Sequence, residues 1–229
     1  MSMTKEMTSG KPYKLILSFA IPLILGNVFQ QLYNMVDTVI VGKFVGVNAL
    51  AGVGSTGAIN FLVIGFALGI CSGFSIMIAQ RFGAGDYSGM RKFIANSIYL
   101  CIAVAVILTA VTMLLTKPIL TVMNTPKEIY DYAYNYIIII FAGISATMFY
   151  NILSGILRAV GDSRTPLIFL GVSSVLNVGL DLLCIIVFKM GVAGAGIATV
   201  ISQAISAFLC LIYILSLIHI SEPTRLRCI

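Results

Sequence analysis

The chain has 229 residues, of which 59% are hydrophobic and 10% are charged, and its formal net charge is +6. Soluble domains carry about 25% charged residues, so this composition excludes a soluble enzyme and a nucleic-acid-binding module. Mean hydropathy is +1.06, and several apolar stretches exceed the roughly 20 residues that span a bilayer as a helix. The sequence therefore predicts an all-α polytopic membrane protein that contacts the lipid bilayer and no nucleic acid.

Six apolar tracts, separated by charged or turn-forming residues, predict six transmembrane helices. In chain order the predicted spans cover approximately 15–42, 49–80, 93–116, 129–158, 166–188 and 193–214. The polar segment 1–14 lacks the pattern of a cleavable signal peptide. We therefore expect this segment to be retained as a cytoplasmic N-terminal segment.

The distribution of Lys and Arg predicts the orientation of the spans, because cytoplasmic loops are enriched in both residues. A cytoplasmic N-terminus places eight of them on the inner side: Lys5, Lys11, Lys14, Arg81, Arg91, Lys92, Arg158 and Arg164. It leaves four on the outer side, namely Lys43, Lys117, Lys127 and Lys189. The predicted location is the cell membrane, with multiple passes and the N-terminus inside.

Two predicted inner loops resemble each other, since each places an Arg and a Gly-Asp pair directly after a span. The first runs from Arg81 to Asp86 and the second from Arg158 to Asp162. Gly-Asp turns with basic neighbours are common at helix ends. Asp86 and Asp162 are therefore predicted to form turns or helix caps.

Polar residues within the predicted spans are the main functional signal, because intramembrane carboxylates are costly and usually functional. Two acidic residues lie well inside spans, Asp37 and Asp181. Spacings of three and four residues put a polar stripe on one face of the first helix, formed by Asn27, Gln30, Asn34 and Asp37. Asn177 shares a face of the fifth helix with Asp181.

Further polar side chains lie in the neighbouring spans. Asn151 is on the fourth, and Thr199, Gln203 and Ser206 follow one face of the sixth. Two carboxylates with several amides and hydroxyls, and no basic residue nearby in sequence, predict a pocket for a cation or protons. Hydrogen bonding between helices is the alternative for the neutral residues, and it is less favoured for Asp37 and Asp181 because charge is costlier to bury.

Other features of the spans indicate mechanics and packing. Pro22 removes a backbone hydrogen bond inside the first span and predicts a bend beside the polar stripe. Gly65, Gly69 and Gly73 form a small-residue stripe typical of helix packing. Four cysteines fall in apolar tracts without a C-x-x-C pair, which predicts small buried side chains rather than a metal or redox role: Cys71, Cys101, Cys184 and Cys210.

Several motifs are absent from the sequence. There is no phosphate-binding G-x-x-x-x-G-K-[ST] loop and no H-E-x-x-H zinc motif. Catalytic Ser-His or Cys-His pairing is not indicated either. A polytopic protein with buried carboxylates and no nucleotide-binding loop favours ion-driven secondary transport, with no enzymatic activity and no cofactor.

Several segments of the sequence resemble the multidrug and toxic compound extrusion (MATE) family. The segments that resemble the family are Ile21–Leu25, Gln31–Gly42, Ala49–Gly54, Gly155–Pro166, Leu176–Asp181 and Gly191–Thr199. The resemblance covers residues 12–214 and implies one six-helix lobe of a twelve-helix antiporter, the N-terminal one. It further implies exchange of Na⁺ or H⁺ for small organic, often cationic, drugs across a cleft shared with a C-terminal lobe that this chain lacks.

The resemblance also implies a set of ion-binding residues. By matching positions, these are the first-helix carboxylate Asp37, the fourth-helix amide Asn151, the fifth-helix pair Asn177 and Asp181, and the sixth-helix hydroxyl Thr199. Na⁺ would bind at Asp37, Asn177 and Asp181. Three more residues are expected to line the cleft, namely Gln30, Asn34 and Gln203.

The end of the chain departs from this pattern. Residues Leu215–Arg225 read LSLIHISEPTR, which resembles a translated transposase sequencing adapter. We therefore expect 215–229 to be a non-native tail, with the sixth helix ending near Ile214 and the chain breaking at Ser221-Glu-Pro-Thr.

Two alternatives to a drug antiporter stay open from the sequence. One is a flippase of lipid-linked oligosaccharides from the same superfamily, whose cavity would need basic residues that the spans lack. The other is a non-transporting membrane scaffold, in which the buried carboxylates would be dispensable.

Overall fold

A computed structural model describes residues 12–225, with side chains described at 13, 16–18 and 20–216. Most of the predicted N-terminal segment and the last four residues lie outside this range. The described chain is all helical and contains no strand, which confirms the predicted fold class. Its α-helices are α1 (Pro12–Phe44), α2 (Val47–Ser55), α3 (Gly57–Gly83), α4 (Tyr87–Val122), α5 (Lys127–Ala142), α6 (Ile144–Ala159), α7 (Arg164–Leu182) and α8 (Val192–Arg225).

Five of the described helical segments are long and apolar enough to cross a membrane. They comprise α1, α3, α4, α8, and α7 together with the π-helical turn Leu183–Val187 that follows it. The pair α5 and α6, bent by 45°, makes a sixth span if it is counted as one. The chain is therefore a polytopic membrane protein.

Two of the predicted continuous spans are broken in the structure. Thr56 separates α2 from α3, and its buried hydroxyl donates to the carbonyl of Val53 at 2.7 Å, in competition with the helical backbone pattern. Gly143 separates α5 from α6, where a Cβ would collide with the side chain of Val200 on α8. The absence of a side chain at Gly143 thus lets α8 approach the bend.

The helix ends also differ from the prediction at two places. α1 continues through Pro22 without interruption, so the predicted bend stays a prediction. The predicted end of the sixth helix near Ile214 is wrong, because α8 continues through Pro223 to Arg225. Pro223 removes one backbone hydrogen bond close to the helix end, a local loss that leaves the helical path intact.

Among the described helices, α6 is the most deeply buried. Nine of its residues are buried, including Met148, Ile152 and Leu157. They pack with side chains of α3, α4 and α8 in one hydrophobic cluster. All four cysteines of the spans are buried and free, which confirms their predicted burial.

The glycine stripe on α3 has no partner in the described part of the chain. A Cβ at Gly65, Gly69 or Gly73 would meet nothing within 4 Å. The predicted helix packing at this stripe is therefore not found within residues 12–225. Large apolar side chains beside it, Phe61 and Phe66, are also exposed.

The two Gly-Asp loops confirm the predicted capping roles. Asp86 accepts a hydrogen bond from the Gly89 amide at 2.9 Å and pairs with Arg81 at 2.9 Å. This backbone hydrogen bond is the main reason that the pKa of Asp86 is lowered. Asp162 accepts from the amides of Arg164 and Thr165 at the start of α7, at 3.1 and 3.0 Å.

Candidate functional site

The two intramembrane carboxylates, 144 positions apart in sequence, meet in the interior of the lobe. Asp37 on α1 is 7% exposed, and Asp181 at the end of α7 is fully buried. α1 packs along α7, which brings the carboxyl groups of Asp37 and Asp181 within electrostatic range of each other. Two ionised carboxylates buried this close together would repel each other, and a proton or a cation at the site would relieve that repulsion.

Amide and hydroxyl groups extend this carboxylate pair toward α8. Asn177 lies one helical turn before Asp181, and its side-chain amide donates to the Thr199 hydroxyl at 3.4 Å. Gln203, one turn further along α8, is 6% exposed and lines a small pocket together with Tyr33. Residues from three helices, α1, α7 and α8, thus form one polar cluster.

Several oxygen atoms of this cluster are buried without a hydrogen-bond partner among the described residues. They are Oδ1 of Asp37, both carboxyl oxygens of Asp181, Oδ1 of Asn177, Oε1 of Gln203 and Oγ of Ser202. Unpaired buried acceptors are uncommon in folded proteins because each costs free energy. A group of carboxylate and carbonyl oxygens is the donor set that a hard cation prefers, and the same oxygens accept protons.

The composition of the cluster separates it from transition-metal sites. Among the described residues, no group of three or more His, Cys, Asp or Glu is placed to hold a metal ion. The available ligands are two carboxylates and neutral oxygens, without sulfur or imidazole. This chemistry fits Na⁺ or H⁺ and does not fit a softer metal.

The other predicted residues take different positions. Asn151 on α6 is half-buried, and its amide donates to the carbonyl of Thr147 in its own helix at 2.8 Å. Asn34 is exposed and bonds to Gln31 at 3.3 Å. Gln30 is half-buried and lies three residues before Tyr33 on α1. The described contacts therefore join neither Asn151 nor Asn34 to the carboxylate pair, and their predicted roles in binding stay predictions.

Two tyrosines that the sequence did not single out belong to the neighbourhood of the carboxylates. Tyr33 and Tyr136 are both within electrostatic range of Asp37 and Asp181. Tyr33 lies four residues before Asp37, on the same face of α1. The four-residue spacing could have indicated that Tyr33 lies near Asp37. An aromatic residue in an apolar tract is, however, usually a packing residue, so the sequence alone did not single it out.

The fold and the cluster define a polytopic helical membrane protein with a buried pair of carboxylates. The MatE family model matches residues 22–183. The chain therefore belongs to the MatE family, whose members are transporters and not enzymes.

Individual relatives support the same assignment. The chain is 33% identical over 210 residues to the probable multidrug resistance protein YpnP of Bacillus subtilis (strain 168), covering 92% of this chain and 47% of YpnP. It is similar to the structure of a MOP superfamily transporter from Pyrococcus furiosus Vc1, described as having a binding pocket of reversed polarity that suggests a different function. That likeness has a TM-score of 0.86 at 28% identity, covering 93% of this chain and 47% of the other.

A further structure is an outward-facing multidrug resistance MATE family transporter of the MOP superfamily. Its TM-score is 0.84 at 30% identity, over 90% of this chain and 45% of that transporter. The chain thus spans about half the length of the relatives it matches. It corresponds to one lobe of a MATE transporter.

Proposed function

We propose that this chain is the N-terminal lobe of a cation-coupled antiporter that exports small organic, often cationic, compounds. The observation that carries the proposal is the burial of Asp37 and Asp181 close to each other, with unpaired carboxyl and amide oxygens. The sequence similarity to YpnP, which is named a probable multidrug resistance protein, supports multidrug export as the transport activity. The coupling ion is Na⁺ or H⁺, since either neutralises the carboxylate pair.

The proposed mechanism follows from the cost of buried charge. Two carboxylates held together inside a lobe are strongly disfavoured unless their charge is neutralised. Binding of the ion therefore stabilises the closed cluster, and its release favours a conformation in which water reaches Asp37 and Asp181. Export requires the ion and the drug to prefer different conformations, because a ligand shifts an equilibrium only by its differential affinity.

The direct test uses the chain itself in detergent micelles. We expect its melting temperature to rise with Na⁺ concentration, or to rise as the pH falls through the titration range of the carboxylate pair. A ligand at 100 times its dissociation constant stabilises the folded state by about 2.7 kcal/mol. Asp37→Asn and Asp181→Asn should each remove most of this ion dependence, because an amide offers the cation no formal charge.

Asp131→Asn is the matched control, since Asp131 is an exposed carboxylate on α5 outside the cluster. This variant should keep the full ion dependence. An ion response that survives in both Asp37→Asn and Asp181→Asn would contradict the proposed coupling role.

Export itself is tested by joining the chain to the C-terminal half of YpnP in cells that lack other efflux pumps. We expect efflux of a cationic dye such as ethidium, driven by an imposed Na⁺ or pH gradient. Both aspartate variants should abolish this efflux while membrane insertion is unchanged. Efflux that persists in either variant would favour a mechanism that does not use these carboxylates.

A further inference from the structure

Two cysteines far apart in sequence face each other inside the helix bundle. Cys71 on α3 and Cys101 on α4 are 2% and 3% exposed. Their Sγ atoms are 3.9 Å apart, and both thiols are free. The proposed ion pathway uses neither thiol, and the contact is not explained by the carboxylate cluster.

The two cysteines lie at matching depths in the helical hairpin that α3 and α4 form. Cys71 precedes the end of α3 at Gly83 by 12 residues, and Cys101 follows the start of α4 at Tyr87 by 14 residues. At 1.5 Å per residue, both lie about 20 Å from the connecting loop. That depth is near the middle of a hydrocarbon core about 30 Å thick. The contact thus follows from the register of the hairpin.

Polar neighbours orient the thiols and supply a positive charge. The Cys71 thiol donates to the Met148 carbonyl at 3.7 Å, which leaves its sulfur lone pairs facing Cys101. The guanidinium of Arg158 lies within electrostatic range of Cys71. Arg158 donates to the Ser154 hydroxyl at 2.6 Å and has no carboxylate partner in the described range. The guanidinium thus places a positive charge on the Cys71 side of the thiol pair.

An apolar crevice gives one of the two thiols a route to the surroundings. Its volume is about 440 Å³, and it lies between α4, α6 and α8. Cys101 and Met148 line its wall, with Phe149 and Phe208 beside them. The crevice holds almost no polar surface, so it admits a small uncharged molecule and rejects an ion.

We infer that Cys71 and Cys101 form a redox-active dithiol that closes to an intramembrane disulfide when it meets an uncharged peroxide. Cys101, at the crevice, attacks one peroxide oxygen and becomes a sulfenic acid, while the other oxygen leaves as water. The Cys71 sulfur then attacks the Cys101 sulfur, and the sulfenic oxygen leaves as a second water. Both thiols are oxidised by two electrons in total, and one hydrogen peroxide is reduced to two waters.

The geometry favours a disulfide over a bound soft metal. A metal ion held by two thiolates keeps charge in the middle of the membrane, whereas a disulfide is neutral. The closing step is also intramolecular, since the second sulfur already touches the first, and such steps have high effective concentrations. The product would join the second and third spans covalently at mid-depth.

The test treats membranes that contain the full chain with hydrogen peroxide, followed by denaturation, alkylation and peptide mass spectrometry. We expect one peptide pair joined through Cys71 and Cys101, with alkylation at both positions falling together by about tenfold or more. Cys184 and Cys210 are buried thiols without such a contact, and they should stay alkylatable. Oxidised glutathione, which is charged and large, should leave the pair reduced.

Single substitutions supply the matched controls. Cys71→Ala should leave Cys101 as a sulfenic acid that dimedone traps, and Cys184→Ala should leave the disulfide unchanged. Mapping on the unsubstituted chain does not depend on the folding of any variant. Absence of the linked peptide, linkage to another cysteine, or equally rapid oxidation by oxidised glutathione would each overturn the inference.

Discussion

Four aspartates of this chain form two pairs that differ in what donates hydrogen bonds to their oxygens. Asp86 and Asp162 each receive hydrogen bonds from backbone amides at the start of a helix. Asp37 and Asp181 have buried oxygens without such donors in the described part of the chain. An unpaired buried polar group costs about 1–3 kcal/mol, and more when it is charged. The second pair is therefore a cost to folding, as expected of residues retained for binding.

Because Asp86 caps the start of α4, we expect the stability of that helix end to depend on pH. Its pKa is lowered chiefly by the hydrogen bond from the Gly89 amide, with smaller effects of Ser88 and Arg81. Because the folded-state pKa lies below the unfolded value of about 3.9, the cap stabilises α4 above that value. This stabilisation is lost as the pH falls through the folded-state pKa. The carboxyl carbon of Asp86, followed by NMR, should titrate below about 3.9.

Arg81→Gln tests the order of these causes. Removing the guanidinium should raise the pKa of Asp86 only slightly, since the backbone hydrogen bond is the larger cause. Ordinary titration of Asp86 in the unsubstituted chain, near 3.9, would show that the cap is not formed.

Most of the polar cluster could be predicted from the sequence, because its residues sit at helical spacings in apolar tracts. Asp37, Asn177 and Asp181 are examples, since a carboxylate or amide there has no ordinary packing role. The meeting of Tyr33 and Gln203 at one small pocket could not be predicted, because it depends on how α1 packs against other helices. The pairing of Cys71 with Cys101 depends in the same way on the register of α3 and α4.

At the level of helices, close packing depends on glycines whose neighbours are backbone atoms. A Cβ at Gly52 on α2 would lie 2.7 Å from Cβ of Tyr132, 3.0 Å from the Ala133 nitrogen and 3.1 Å from the Ile129 carbonyl oxygen. These atoms belong to α5 and cannot move by side-chain rotation. α2 and α5 thus meet at a distance that only glycine permits.

Gly52→Ala should lower the free energy of unfolding by about 1–3 kcal/mol, as overpacked core substitutions do. Gly54→Ala is the matched control in the same helix, because a Cβ there meets nothing within 4 Å. It should be neutral or stabilise by about 0.5–1 kcal/mol through helix propensity. Unfolding in detergent measures both variants, and equal stability of the two would contradict the packing of α2 on α5.

The sequence predicts where helices lie better than it predicts where they break. The apolar tracts 49–80 and 129–158 read as continuous spans, because neither Thr56 nor Gly143 interrupts hydrophobicity. The Thr56 hydroxyl bonds to a carbonyl in its own helix, and Gly143 accommodates Val200 from a helix distant in sequence. Both causes are details of hydrogen bonding and packing that an apolar pattern does not contain.

For the whole molecule, two surfaces of the lobe have no partner in the described chain. The glycine stripe of α3 is open, and polar residues of α1, including Asn27 and Asn34, are exposed. Polar side chains on a spanning helix face protein or water rather than lipid. Because the chain covers 47% of YpnP, we expect the polar residues on α1 to face the half of the transporter that lies outside this chain.

The Lys and Arg residues of the two Gly-Asp loops predict the orientation of the chain in the membrane. These loops follow the second and fourth spans, so they lie on the same side of the membrane. We expect that side to be cytoplasmic, because Arg81, Arg91, Lys92 and Arg164 cluster there. Ser88 and Arg164 are exposed and therefore suit labelling, whereas Ser163 is only 7% exposed.

The experiment places single cysteines in a chain that carries Cys228→Ser, since the other four native cysteines are buried. A membrane-impermeant maleimide should label Ser88→Cys and Arg164→Cys only after cells are permeabilised. Lys127→Cys, at an exposed position on the predicted outer side, should be labelled in intact cells. The unsubstituted background measures residual labelling of the buried thiols. Labelling of both loop positions from outside intact cells, with Lys127→Cys protected, would reverse the orientation and with it the proposed direction of transport.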